Sequence, residues 1–156
     1  MRVVGVTGHQ KAPRQVWDLL AERLPDIMGA APFVGVSSLA AGADQEFARL
    51  VLALGGDLVA VVPSHRYEES FETPTQRQAY RSLLAKATRR EELAFPHPCE
   101  NAYLAAGQRV VQLSDTMVAV WDGERARGRG GTADVVEYAR RLGKNVAILW
   151  PEGVSR

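Results

Sequence analysis

The chain has 156 residues, 46% of them hydrophobic, and its 19 basic and 18 acidic side chains leave a formal net charge of +1. This length is typical of one ordinary domain, so we expect a single Rossmann-like domain over residues 1–156. The near-zero net charge provides no overall field for gripping a nucleic-acid backbone, which argues against nucleic acid as a partner. The single cysteine excludes an intramolecular disulfide, and the sequence has neither a signal-peptide pattern nor a long apolar stretch. We therefore expect a cytoplasmic protein without a membrane span.

Strand and helix patterns alternate along the whole chain. Apolar runs at residues 3–7, 33–37, 58–62, 116–121 and 146–150 predict buried strands, and residues 92–95 suggest a further short strand. Pro13 suits a first helical position, and the second helix is expected to end at Gly55 and Gly56, where glycine favours a left-handed cap. Further helices are predicted at about 75–88, 101–113 and 132–142, with a polar loop over 63–74. The predicted apolar faces of the first two helices consist of Val16, Leu19, Leu20 and Leu24, and of Phe47, Leu50, Val51 and Leu54.

This alternation predicts an α/β fold, a doubly wound Rossmann-like parallel sheet flanked by helices on both faces. In such a fold ligands bind at the carboxyl edge of the sheet, where the strand order reverses. Three loops of small and polar residues follow predicted strands at that edge. Turn geometry explains any one of them, but three together predict a ligand site. The candidate contacts are Thr7, Gly8 and His9 after the first strand, Ser37, Ser38 and Leu39 after the second, and Asp122 after the strand at 116–121.

Gly130, Gly131 and Thr132 directly precede the last predicted helix and indicate the type of ligand. A glycine pair lets a ligand approach the backbone closely, and the first turn of a helix has unpaired N–H groups with a partial positive charge. The sequence therefore predicts a phosphate or a carboxylate at this position. Arg129 adjoins the glycines and is the best-placed arginine of the loop to clamp an anion, although such a basic run is also typical of a solvated loop.

Most of the other candidates have a structural alternative. His9 either contacts a phosphate or ribose or faces solvent. Ser37 and Ser38 either bind ligand oxygens or satisfy backbone groups of their loop. Asp122 either binds a sugar hydroxyl or begins a turn, and Asn101 either caps a helix or contacts the ligand.

Acidic, histidine and cysteine side chains elsewhere in the chain do not form a recognisable catalytic or metal site. Asp44 is expected to N-cap the second helix. We expect a charged surface loop at Glu68, Glu69 and Glu72, although their carboxylates could also reach a base or a ribose. The residues His65, His97 and Cys99 lack a metal-ligand spacing, so no metal site is predicted.

The order of these motifs resembles the SLOG superfamily, which joins the DNA-processing protein A type domains with the LOG proteins. The resemblance spans nearly the whole chain and is strongest to small stand-alone members of the YpsA type. It implies a Rossmann-like nucleotide-binding fold and a homodimer or higher homo-oligomer. The matching segments are residues 35–44 (GVSSLAAGAD), the helix end and strand at 53–63, Asn101, residues 114–115, 118–123 (VAVWDG), 130–132 and 138–140.

The sequence departs from the hydrolytic LOG members at the residues that carry their chemistry. Those members have a glutamate three residues after the motif threonine, where this chain has Val135. On a helix, the side chains of Asp134 and Glu137 point in different directions from a side chain at position 135. Arg109 lies about one turn from the place of the hydrolase arginine. The leading hypothesis is therefore a ligand-binding or sensing module for a nucleotide or nucleotide-derived molecule. The alternatives are a nucleoside 5′-monophosphate phosphoribohydrolase, and a nucleic-acid-binding module.

Overall fold

The computed structural model describes residues 1–125 and 131–156, in which strands and helices alternate. A short 3₁₀ helix, Tyr67–Ser70, follows the third strand. The strands are β1 (Arg2–Gly8), β2 (Phe33–Ser37), β3 (Asp57–Ser64), β4 (Arg89–Phe95), β5 (Thr116–Val120) and β6 (Asn145–Leu149). The helices are α1 (Arg14–Met28), α2 (Ala43–Ala53), α3 (Pro74–Lys86), α4 (Glu100–Leu113) and α5 (Thr132–Arg141).

The strands form one parallel sheet in the order β4-β3-β2-β1-β5-β6. From β1 the chain moves outward to β4, and it then returns to place β5 on the other side of β1, with Gly8 opposite Val120. The strand order therefore reverses between β1 and β5, which is where a sheet of this kind opens a crevice. The predicted doubly wound parallel sheet is confirmed.

Both faces of the sheet are covered by helices. On one face Leu20 and Leu24 of α1 and Phe47 of α2 pack against β1 and β5. On the other face Val110 of α4 and Val135 of α5 pack against β2, β3 and β5. Burial on both sides explains why the central strands are almost continuously apolar. On α4, Ala102, Ala106, Val110 and Val111 are buried within the chain, whereas Leu104 and Ala105 are half-buried.

Three local predictions differ from the structure. Pro13 is the N-cap residue of α1 and not its first helical residue, since its ψ of 155° is extended. Leu54 is the C-cap residue of α2 and is 39% exposed, so it does not belong to the buried apolar face on which its spacing placed it. The predicted polar loop at 63–74 contains buried Tyr67 and Phe71, which pack with Tyr80 of α3. The predicted left-handed glycine at the end of α2 is confirmed: Gly55 directly follows the C-cap residue and has a φ of +85°. In residues 1–125 and 131–156, no helix has the length and apolar character needed to cross a bilayer.

Candidate functional site

A cavity of about 320 Å³ lies at the carboxyl edge of the sheet, over the point where the strand order reverses. The described part of its wall comes from the segments that follow β1, β2, β3 and β5, from one face of α4 and from the start of α5. Of the predicted contacts, the wall includes Thr7, Gly8, His9, Ser38, Gly131 and Thr132. The fold therefore brings the three predicted loops together at one cavity. Arg129 and Gly130 lie outside the described residues.

The loop after β1 is fixed between its neighbours on both sides. The His9 amide donates to the carbonyl of Val120 at 3.1 Å, and the His9 carbonyl accepts from the amide of Ala43 at 3.1 Å. Gly8 is required here because a Cβ atom would lie 2.5 Å from the Cβ of Ala43. The first amide of α2 is thus occupied by the carbonyl of His9.

His9 belongs to a charged cluster that sequence reasoning did not predict. Its Nδ1 lies 2.9 Å from Nη1 of Arg156, and its Nε2 lies 3.2 Å from Oδ1 of Asp122. Since a guanidinium only donates, Nδ1 holds the lone pair, and we assign the ring hydrogen to Nε2, which donates to Asp122. The Asp122 amide also lies 3.2 Å from Nε2, but in this tautomer Nε2 has no lone pair to accept from it. The indole of Trp150 packs edge-on against the ring, with centroids 5.4 Å apart.

The neighbouring charges have opposite effects on the pKa of His9, whereas they act in the same direction on the pKa of Asp122. Burial, together with the positive charge of Arg156, lowers the pKa of His9 below 6.5 despite the opposing effect of Asp122. Burial alone would raise the pKa of Asp122, but hydrogen bonds from the Glu124 amide and His9, with the charge of Arg156, lower it. At neutral pH the cluster is therefore a neutral imidazole between a guanidinium and a carboxylate. Both carboxylate oxygens of Asp122 therefore have protein partners: Oδ1 accepts from His9 and from the Glu124 amide, and Oδ2 pairs with Arg156.

The loop after β2 divides into interior residues and cavity residues. The Ser37 hydroxyl donates to the carbonyl of Asp44 at 3.1 Å and accepts from the amide of Leu39 at 3.0 Å. Leu39 is fully buried with a φ of +58°, a left-handed conformation that is costly for a branched side chain. Ser37 and Leu39 are thus buried in the interior of the loop and are not part of the described wall, so their predicted ligand contact is not seen there. Ser38 and Ala40 form that wall.

Asp44 is a buried carboxyl group in the cavity wall and not the expected N-cap of α2. The N-cap is Gly42, whose φ of +83° and close approach to the Gln10 carbonyl exclude any side chain. Asp44 accepts hydrogen bonds from the amides of Ala40, at 3.3 Å, and Ser38. Burial outweighs these hydrogen bonds and raises the pKa of Asp44 to about 7.

Aromatic side chains line the cavity next to Asp44. Tyr67, Phe71 and Tyr103 contribute to the wall. The Tyr67 ring lies 5.2 Å from that of Phe71 and 6.5 Å from that of Tyr103, measured between centroids. Sequence reasoning missed this wall because Tyr67 and Phe71 lie among acidic residues, although two aromatic residues four positions apart were a usable signal.

The start of α5 presents backbone donors to the cavity. Gly131 is its N-cap residue and receives no side-chain cap, and the first helical hydrogen bond runs from the Val135 amide to the Gly131 carbonyl at 3.3 Å. The preceding amides of the first turn therefore have no intrahelical acceptor. Gly131 has a φ of −71°, a backbone conformation that other residues also adopt. Thr132 is 8% exposed and lines the cavity beside Ala133.

Of the residues considered for hydrolysis, Val135 lines the cavity, and the charged ones lie off its described wall. Val135 is buried and lines the cavity, whereas Glu137 is exposed and is not part of the described wall. Arg109 makes a two-point ion pair with Glu91 of β4, with N–O distances of 2.8 and 3.3 Å. Asn101 is exposed in the first turn of α4, where Cys99 and not Asn101 is the N-cap residue, and it lies off the described wall. Within residues 1–125 and 131–156 no group of three or more His, Cys, Asp or Glu side chains is arranged to hold a metal ion.

No protein-family model matches the sequence, and no curated protein matches it significantly. Solved structures match its fold. The DNA processing protein A of Streptococcus pneumoniae matches with a TM-score of 0.70 and 18% identity, over 95% of this chain and 50% of its own length. That of Helicobacter pylori matches with a TM-score of 0.67 and 17% identity, over 99% and 68%. A molybdenum cofactor carrier protein from Chlamydomonas reinhardtii matches with a TM-score of 0.60 and 17% identity, over 94% and 75%.

These matches establish the architecture. The chain has the same Rossmann-like fold as these proteins. It spans half the length of the Streptococcus pneumoniae protein. At these identities the similarity shows the fold and does not identify a ligand.

Proposed function

We propose that this chain binds a nucleotide or a nucleotide-derived molecule in the cavity, with a phosphate at the start of α5. The observation that carries the proposal is the position of this uncapped helix start in the wall of a cavity at the reversal of strand order. A helix start offers several parallel N–H donors and a partial positive charge, which together suit a phosphate group. The hydroxyl of Thr132 and the guanidinium of Arg125 line the same cavity and add two further donors.

The remainder of the cavity suits the rest of a nucleotide. The aromatic wall of Tyr67, Phe71 and Tyr103 provides apolar surface for a planar base. Ser38 and His9 lie between this wall and the phosphate position, where a ribose would lie. Asp122 is a weaker sugar contact than expected, because both of its oxygens already have protein partners.

The absence of the hydrolase glutamate favours binding over LOG-type hydrolysis. Cleavage of an N-glycosidic bond needs a carboxyl group placed to transfer a proton, and the position of the hydrolase glutamate is Val135. Arg109, the only arginine on α4, is held by Glu91. We therefore assign the protein to ligand binding or sensing, with turnover as an outcome to be measured.

A thermal-shift panel of nucleoside monophosphates, dinucleotides and ribose 5-phosphate tests the proposal. A ligand at 100 times its dissociation constant stabilises the folded state by about 2.7 kcal/mol, which raises the melting temperature by about 5–10 °C in a chain of this size. Chromatography of each stabilising compound after incubation then separates binding from hydrolysis. A panel without any stabilising phosphate compound would overturn the proposal.

Single-stranded nucleic acid is a second candidate ligand. The Helicobacter pylori protein with this fold is described by its single-stranded DNA binding mode, and the match covers 99% of this chain. The net charge of +1 argues against an extended contact with a polyanion. A gel shift with a single-stranded oligonucleotide at increasing salt distinguishes the two ligands. A steep salt dependence would favour nucleic acid.

A molybdenum cofactor carrier also has this fold. A pterin compound therefore belongs in the thermal-shift panel beside the nucleotides. Stabilisation by the pterin and not by nucleotides would keep the cavity as the site and change the ligand class.

A further inference from the structure

We infer that Asp44 recognises paired N–H donors on a planar heterocycle, such as the edge of guanine, at the end of the cavity opposite the phosphate. This inference rests on the proposed function and specifies its ligand. It predicts an elongated ligand with an anion at one end and N–H donors at the other.

The hydrogen bonds of Asp44 leave room for a ligand. An ionised carboxylate has about four acceptor positions, and the amides of Ser38 and Ala40 occupy two of them, so about two remain. No cationic side chain of the described chain lies close enough to influence this carboxyl. A buried carboxylate without a cation is costly unless donors satisfy it, and Asp44 lines the cavity. A ligand with two adjacent N–H groups would supply those donors.

The position of Asp44 separates its end of the cavity from the phosphate end. Asp44 lies in the first turn of α2, and its carboxyl is held by the loop after β2. Helix α5 starts after β5, and β1 lies between β2 and β5. Two strand spacings correspond to roughly 10 Å. A ligand that reaches both must therefore be much longer than a free phosphate.

The aromatic wall lies on the Asp44 side of the cavity. Tyr67 and Phe71 follow β3, which is adjacent to β2, and the phenol of Tyr67 is close enough to Asp44 for the carboxyl charge to raise its pKa further, beyond the effect of burial. Flat apolar surface beside two free acceptor positions is the arrangement that recognises both the face and the donor edge of a heterocycle.

Protonation of Asp44 makes the affinity for such a ligand depend on pH. Its pKa of about 7 lies above the usual value of an aspartate, so acid neutralises it well before other carboxyl groups. Only the ionised form accepts both N–H donors, so binding of such a ligand weakens as pH falls through 7. Asp44 is roughly 90% ionised at pH 8 and roughly 10% at pH 6, which predicts about a tenfold loss of affinity. The other titratable side chains in the described wall are His9, Tyr67, Glu72, Tyr103, Glu124, Arg125 and Arg156.

Calorimetric titration of the full chain with GMP and with ribose 5-phosphate at pH 6, 7 and 8 tests the inference. The two compounds share ribose and a phosphate monoester, so their affinity ratio removes the titration of the phosphate and of His9 and isolates the base. We expect GMP to bind more tightly than ribose 5-phosphate at pH 8, with a ratio that falls about tenfold by pH 6. AMP has an acceptor where guanine has its ring N–H, so it should bind more weakly than GMP at pH 8.

Asp44→Asn supplies the second arm of the test. The asparagine oxygen still accepts from the loop amides, and we expect a 10- to 100-fold loss of GMP affinity at pH 8, with ribose 5-phosphate changed less than about twofold. Glu46→Gln is the matched control, since it removes the same charge from the first turn of α2 outside the described wall and should bind as wild type. If Asp44→Asn does not fold, the wild-type pH series decides alone.

The outcomes separate this inference from the proposed function. A GMP to ribose 5-phosphate ratio that is constant from pH 6 to 8, or unchanged in Asp44→Asn, overturns the role of Asp44 and leaves the phosphate site intact. Failure of ribose 5-phosphate to bind, with GMP binding that depends on Asp44, supports the inference and contradicts the phosphate site. Failure of both compounds to bind contradicts both.

Discussion

Replacement of Gly131 by aspartate should abolish phosphate binding while the protein remains folded. Gly131 is the N-cap of α5 with a φ of −71° and a ψ of 170°, a conformation open to any residue. Aspartate is moreover a favoured N-cap residue, so the helix should keep or gain stability. The new carboxylate would lie where we place the phosphate. Two like charges at about 4 Å repel by about 4 kcal/mol at an effective dielectric constant near 20, which corresponds to roughly a thousandfold in affinity.

Two further substitutions at the same position separate charge from capping. Gly131→Ala adds a methyl group without strain and should bind as wild type. Gly131→Asn has the size and capping ability of aspartate without its charge, and its side chain competes for the helix amides, so we expect a smaller loss of affinity. Calorimetry with ribose 5-phosphate and the melting temperature of each free variant give the comparison. Equal binding by Gly131→Asp and wild type would refute the placement of the phosphate, and equal losses in the two capping variants would refute the electrostatic argument.

Three other outcomes follow from the site and its loops. After incubation with AMP, chromatography should detect no free adenine, because Val135 occupies the position of the hydrolase glutamate and cannot transfer a proton. Sustained release of adenine would mean that a carboxyl group at a different position acts as the acid. Gly42→Ala should destabilise the fold by clearly more than Gly55→Ala in denaturant unfolding, because both residues have positive φ but only at Gly42 would a Cβ lie 2.3 Å from a backbone carbonyl, whereas Gly55 faces open space. Arg156→Gln should raise the pKa of His9 in an NMR titration by removing an adjacent positive charge, and an unchanged or lower pKa would contradict the contact.

The elements that could be predicted from the sequence are those whose signal is local. Strands β1, β2, β3 and β5 appear as apolar runs because both faces of the sheet are covered, and the alternation with helices leads directly to a parallel sheet. The strand predicted at 146–150 corresponds to β6, an edge strand that is only partly buried, contrary to the prediction. The order of strand ends then predicts the edge at which Gly8, Ser38 and Thr132 line one cavity. Local periodicity and the rules of strand connection are sufficient for this much.

The features that could not be predicted from the sequence depend on contacts between distant parts of the chain. Arg156 reaches His9 across 147 positions, and no periodicity reports such a pair. Asp44 has the sequence context of a helix cap, and its burial depends on how Tyr67 and its neighbours cover the loop. Leu39 has a positive φ that its residue type argues against, because the surrounding core imposes the conformation.

The central claim is that the start of α5 holds a phosphate, and an NMR titration of the labelled chain with ribose 5-phosphate tests it most directly. If the claim is right, the amides of Thr132 and Ala133 shift in a saturable way with the largest amplitudes, and Gly131→Asp removes those shifts. Saturable shifts confined to other parts of the chain, or no saturable shift at millimolar ligand, would contradict it.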